Sequence, residues 1–178
     1  MAAKLSENET QIDILINNSG ATWGAPIESF PEKGWDKVMD LNVKSVFFLT
    51  KSLLPLLKAG ATKADPSRVI NISSIAGITH GGLSAVSYNA SKAAANHLTK
   101  VLAHELAKEK ILVNAIAPGF FPSNMTKHFD KEALGNANPV GRIGEPTDIA
   151  GLVIYLCSKA GSFMTGNVIP LDGGLLVS

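Results

Sequence analysis

The chain has a single cysteine, Cys157, so no disulfide can form within it. The absence of cysteine pairs fits a reducing compartment. Charge of one sign is also missing: 16 Lys and Arg against 15 Asp and Glu leave a net charge of +1, with no basic run. Nucleic acids and anionic membrane surfaces attract concentrated positive charge, so neither is expected as a partner. No apolar run approaches the ~20 residues that span a bilayer. The first nine residues lack the apolar stretch of a secretory leader. His80, His97, His104 and His128 show no ligand spacing with acids or with each other, which leaves no metal site and reads them as surface or supporting residues. Repeats, low-complexity tracts and linkers are absent too. The expectation is a soluble, cytoplasmic protein whose partner is a small molecule.

Hydrophobic residues make up 46% of the 178 and charged residues 17%, a balance too apolar for a disordered chain. The length suits one domain, residues 1–178, with a sizeable core. Residues 12–17 form a β-branched run that enters a tight loop, and residues 68–73, 111–116 and 168–171 read as three further strands. Between them the apolar spacing turns helical: over residues 35–57, with Pro31 near the start, from about residue 87 through Leu106, and from Pro146 through Leu156. Residues 60–67 and 120–145 read as loops. Cys157 ends an apolar run and is expected in the core. Strands alternating with helices imply parallel βαβ units, hence an α/β fold with a doubly wound, Rossmann-like sheet. The nearly continuous apolar strands suggest helices on both faces.

Chemistry concentrates at Ser74, Tyr88 and Lys92. Tyr88 and Lys92 are four apart at a helix start, which puts them on one face, a turn apart. A free phenol, with pKa near 10, is a poor base at neutral pH. A nearby ammonium is expected to lower that value and let the phenol exchange a proton with a substrate oxygen. Ser74 ends the second strand, where its hydroxyl can hold the same oxygen. Tyr-x-x-x-Lys alone is a weak signal. Its context is specific: Asn17-Asn18-Ser19-Gly20, Leu41-Asn42-Val43, Asn71-Ile72-Ser73-Ser74, Tyr88-Asn89-Ala90-Ser91-Lys92, the stretch from Val113 to Gly119, the stretch from Gly141 to Pro146, and Leu171-Asp172-Gly173-Gly174.

In order and spacing, over almost the whole chain, these motifs resemble the short-chain dehydrogenase/reductase family. The likeness is to the subgroup of β-ketoacyl carrier-protein reductases and fungal polyol and secondary-metabolite reductases. The resemblance implies an NAD(P)-dependent oxidoreductase that interconverts a ketone and a secondary alcohol, NADP(H) being favoured over NAD(H), in a homo-oligomer, dimer or tetramer. It implies that Tyr88 is the general acid/base, that Lys92 lowers its pKa and holds the nicotinamide ribose, and that Ser74 orients the carbonyl. Asn42 would complete a tetrad by fixing a water that links Lys92 to solvent. Asn17 and Gly20 would pass beside the adenosine ribose and support the sheet, Pro118 and Gly119 would flank the nicotinamide, and Ser123 would contact the carboxamide or a phosphate. Purely structural roles compete for some of these: a turn at Asn17 and Asn18, strand punctuation at Pro118 and Gly119, a bend at Asn42.

The same resemblance exposes a gap. No Gly-x-x-x-Gly-x-Gly precedes Asn17, although the family opens with a strand, a glycine-rich phosphate loop and a helix. Residues 1–5 look like the last turn of a helix leading into the first strand here. The expectation is an N-terminally truncated domain whose first strand becomes a sheet edge. That raises an alternative: a catalytically inactive fragment that acts as an interaction or dominant-negative partner of full-length subunits.

Overall fold

A computed structural model of the chain describes residues 2–80 and 85–178. Met1, expected in the opening helical turn, and residues 81–84 of the loop after Ser74 lie outside the described residues. Among the described residues, four strands, β1 (Ile14–Asn17), β2 (Ser67–Ile72), β3 (Ile111–Pro118) and β4 (Val168–Leu171), pair in parallel in the order β1-β2-β3-β4. The expected α/β fold with a parallel sheet is present.

The helices are α1 (Ala2–Ser6), α2 (Glu32–Met39), α3 (Ser45–Gly60), α4 (Val86–Leu106), α5 (Lys131–Asn136) and α6 (Pro146–Cys157). Each side of the sheet has its own core. Leu53, Leu56 and Leu57 of α3 and Leu102, Ala103 and Leu106 of α4 pack with Val69, Ile111 and Val113 on one face. Leu156, with Leu152 and Val153 of α6, packs on Ile70 and Ile116 on the other. This is the alternation a strand dictates, since neighbouring residues point to opposite faces. Cys157 is half-buried against the second cluster rather than inside it. At β1, Ile14 and Ile16 belong to the α6 side by register with Arg68 and Ile70, yet they stay 45% and 43% exposed.

Two elements depart from expectation. The helix read over residues 35–57 is broken by a π-helical turn, Asp40–Lys44, which joins α2 to α3. The loop read over residues 120–145 contains α5, capped by Asp130, whose carboxylate accepts from the backbone N–H of Glu132 and Ala133. Helix α6 begins as its sequence indicates, with Pro146 in the first turn and the Asp148 carboxylate accepting from the Glu145 N–H at 2.8 Å.

Candidate active site

Apart from Ser123, the predicted site residues gather at the carboxyl ends of β1, β2 and β3, where open α/β sheets bind ligands. Ser74 follows β2 and caps a short 3-10 turn, Ile75–Gly77, its hydroxyl oxygen accepting from the Ala76 N–H at 3.1 Å. Tyr88 and Lys92 lie in the first two turns of α4. The turn and the helix touch closely. A Cβ on Gly77 would stand 2.5 Å from the Lys92 carbonyl carbon and 2.8 Å from the Ala93 nitrogen. Asn96 donates to the Gly77 carbonyl at 3.2 Å, and Ser73 to the Lys92 carbonyl at 3.4 Å. Ser74 is thereby fixed against the helix that carries Tyr88.

Burial sets the electrostatics. Lys92 is only 6% exposed. Its ammonium donates to the Ile72 carbonyl at 2.8 Å and lies 5.6 Å from the centre of the Tyr88 ring. Removal from water pushes its pKa down from 10.5 to about 8. Burial pushes the Tyr88 phenol above its ordinary value, and a hydrogen bond with the Ser74 side chain pulls the other way without overcoming it. The expectation of a phenolate drawn down by its ammonium is therefore corrected: in this fold Tyr88 is a neutral phenol. Desolvation outweighs a cation that sits over the ring.

Asn42 occupies the π turn and is 2% exposed. Its oxygen accepts from the Ala21 N–H at 2.8 Å, and its nitrogen donates to the Ala21 carbonyl and to the Ser91 hydroxyl, each at 2.9 Å. Turns of this kind cluster at functional sites because the extra residue re-aims a side chain. Gly20 sits beside it: a Cβ there would lie 3.4 Å from the Asn42 oxygen and 3.7 Å from the Lys92 ammonium. The Asn17 amide points into the α3–α4 side. It donates to the Asn71 oxygen at 2.8 Å and to Thr50 at 3.3 Å, and Asn71 in turn donates to Thr99 at 2.9 Å. Pro118 ends β3, and Gly119 donates to the Leu171 carbonyl at 3.0 Å while passing too close to Asp172 for any Cβ. Ser123 is exposed in a turn closed by Thr126. Sequence reasoning passed over Gly77, Ser91 and Asn96, because what they do depends on neighbours remote in the chain. Two clefts border these elements. One of about 310 Å³ is lined by Ile27, Phe30, Glu32, Trp35 and Val86, and one of about 130 Å³ includes Phe120, Phe121, Arg142 and Asp172.

A family model described as enoyl-(acyl carrier protein) reductase, of the short-chain alcohol dehydrogenase type, matches residues 1–176. A Pseudomonas aeruginosa protein named rhamnolipids biosynthesis 3-oxoacyl-[acyl-carrier-protein] reductase is 51% identical over 98% of this chain and 70% of its own length. The chain belongs to the short-chain dehydrogenase/reductase family. A second relative, 3-oxoacyl-[acyl-carrier-protein] reductase FabG of Thermotoga maritima, is 37% identical over 98% of the chain and 70% of its own length. Among solved structures, the Pseudomonas aeruginosa RhlG/NADP active-site complex superimposes with a TM-score of 0.93 at 51% identity, covering 98% of this chain and 70% of that one. Membership in this reductase family makes the chain an oxidoreductase by descent. Among the described residues, no helix is long and apolar enough to cross a membrane.

Proposed function

We propose that the protein interconverts a ketone and a secondary alcohol with NADP(H), Tyr88 exchanging the proton with the substrate oxygen. The observation that carries this reading is a half-buried phenol bonded to Ser74, with a buried ammonium one helical turn away. The residues fit the nicotinamide end of a dinucleotide. Lysine has three N–H donors, Lys92 gives one to the Ile72 carbonyl, and the rest are free to meet ribose hydroxyls. Gly20, having no Cβ, keeps the space beside that ammonium open. When bound, the dinucleotide supplies or accepts the hydride. NADP(H) is favoured over NAD(H) by the likeness to the RhlG/NADP complex.

The protein's own part is proton delivery and orientation. In reduction, the neutral Tyr88 phenol donates to the carbonyl oxygen as charge develops there, and Ser74 holds that oxygen in place. Lys92 stays protonated at neutral pH and favours the phenolate left behind. Asn42, through Ala21 and Ser91, ties the β1 loop to the helix carrying both groups. Pro118 and Gly119 would border the nicotinamide and Ser123 its amide or a phosphate. NADPH oxidation with a panel of ketones tests the reading. Tyr88→Phe should lower the rate by roughly 10²–10⁴-fold, and an unchanged rate in that variant would sink the mechanism.

A second reading has one observation behind it. Among the described residues β1 pairs only with β2, and its α6-side residues Ile14 and Ile16 are exposed, so the edge can accept another strand. The chain would then act as a partner of longer subunits rather than as an enzyme. Calorimetry decides: NADP(H) binding tighter than ~100 µM, about −5.5 kcal/mol, favours the reductase. The outward Phe47 and Phe48 of α3 and Val101 of α4 support a dimer or tetramer built on those helices. A monomer in sedimentation at micromolar concentration would contradict it.

A further inference from the structure

Ser91 lies in the spacer between Tyr88 and Lys92 and is fully buried in α4. Its hydroxyl makes two bonds of opposite sense. It donates to the Tyr88 carbonyl at 2.8 Å and accepts from the Asn42 side-chain nitrogen at 2.9 Å. The first fixes the second. A carbonyl can only accept, so the one hydroxyl proton is committed to Tyr88, and the oxygen is left as an acceptor. Asn42 must therefore present its nitrogen, not its oxygen, to Ser91. Its oxygen is then turned toward the Ala21 N–H, and its second N–H toward the Ala21 carbonyl. Were the amide reversed, oxygen would face the Ala21 carbonyl and nitrogen the Ala21 N–H, and both bonds would be lost. The next residue back, Gly20, stands beside the Lys92 ammonium: a Cβ added to it would lie 3.7 Å from that nitrogen.

We propose that Ser91 is a positioning residue: its hydroxyl sets which way round the Asn42 amide sits and so holds the Gly20–Ala21 backbone against Lys92. Ser91 touches neither the reacting atoms nor the cofactor; it acts through Asn42. The inference deepens the reductase reading and rests on it for its functional meaning, yet its physical content can be measured without turnover. Tyr88 is the titratable group that faces Lys92, its ring centre 5.6 Å from the ammonium. Burial alone accounts for the depressed lysine, with no carboxylate from the β1 loop, the π turn, β2 or α4 contributing among the described residues. Anything that lets the Gly20–Ala21 wall draw back admits water to the ammonium and raises its pKa.

The test is a titration by NMR of lysine labelled at Cε, with the Lys92 signal assigned by its loss in Lys92→Met. Lys92 should titrate near 8 in the unaltered protein. In Ser91→Ala it should move up by about one unit or more as solvation is restored. Ser91→Thr keeps the hydroxyl and should return it toward the original value. A folded Ser91→Ala protein whose Lys92 titrates unchanged overturns the proposal, as does an unaltered protein whose Lys92 titrates near 10.5. If Ser91→Ala does not fold, hydrogen exchange of the Asn42 side-chain amide in the unaltered protein decides. Both protons should exchange far more slowly than those of an exposed asparagine, and exposed-like exchange refutes the network. A protein without ketone reductase activity would fail the functional reading while leaving these readouts intact. In an active protein, the falling limb of kcat/KM with pH should shift upward in Ser91→Ala together with Lys92.

Discussion

Replacing Lys92 with methionine should make the protein more stable at neutral pH while removing its activity. The ammonium sits at 6% exposure with its pKa depressed from 10.5 to about 8. At about 1.36 kcal/mol per unit, the folded state carries a cost of about 3 kcal/mol at pH 7. Methionine is of similar length and apolar, so it removes that cost without opening a cavity. It also forfeits the bond to the Ile72 carbonyl, a loss of about 1–2 kcal/mol. The net gain is about 1–2 kcal/mol.

The dependence on pH is the sharper measure. Lys92 holds its proton less tightly folded than unfolded. Between about pH 8 and 10.5 the unfolded chain therefore binds more protons, and stability rises with pH through that window, the cost being present in full below it. From pH 7 to pH 9 the cost should fall from about 3.3 to about 2 kcal/mol by that relation. Methionine does not titrate, so its advantage should shrink by about 1.3 kcal/mol over the same interval. Urea unfolding of both proteins at the two pH values measures this directly, because other titrations cancel in the comparison. An advantage that stays constant with pH, or a methionine variant less stable at pH 7, would refute the reasoning.

Two further outcomes are expected. Gly77→Ala must push apart the 3-10 turn and the α4 backbone, since the new Cβ would lie 2.5–2.8 Å from the Lys92 carbonyl and the Ala93 nitrogen; a loss of about 1–3 kcal/mol in urea unfolding, with a lower kcat as Ser74 shifts, is the result to look for. Asp148 is held down to about 2, first by its hydrogen bonds from Arg142 and then by the Glu145 N–H. A depressed carboxyl stabilises above its ordinary value and loses that contribution as pH falls, here from about 4 toward about 2. Arg142→Gln should flatten that part of the acid-unfolding curve, and an unaltered curve would show that the pair adds nothing.

How far the sequence leads depends on what each feature answers to. The four strands are legible because β-branched runs need no partner to be recognised, although β1 is paired only from Ile14 because Ile12 bonds back to Leu56 of α3 instead. The π turn is not legible, since the apolar spacing of Val38, Leu41 and Val46 passes through it with little change. Helix α5 has six residues, too few for a periodicity to show, and only Asp130 marks its start. Ser74, Tyr88 and Lys92 stand out because their chemistry is written in residue type and spacing. Ser91 and Gly77 do not, because a serine that orients an amide and a glycine that admits a helix backbone look like any other until their neighbours are in place.

The direction of the Tyr88 shift shows what the missing information was. Counting charges finds an ammonium one turn away and points to a phenolate. Burial acts on both groups at once and disfavours charge on each, raising the phenol and lowering the ammonium. At pH 7 the result is asymmetric: the lysine, at about 8, is still mostly charged, while the tyrosine is neutral. A neutral phenol beside a retained cation is a proton donor whose conjugate base is already stabilised, which suits the delivery of a proton to a ketone oxygen. The opposite reaction needs the phenol to give up its proton first and is correspondingly disfavoured until the pH rises. On the reductase reading, the same burial that makes the pair costly to the fold suits it to reduction, and the cost is what makes such a lysine hard to explain as a mere structural residue: the bond to the Ile72 carbonyl, about 1–2 kcal/mol, offsets only part of the cost of about 3 kcal/mol of keeping an ammonium there.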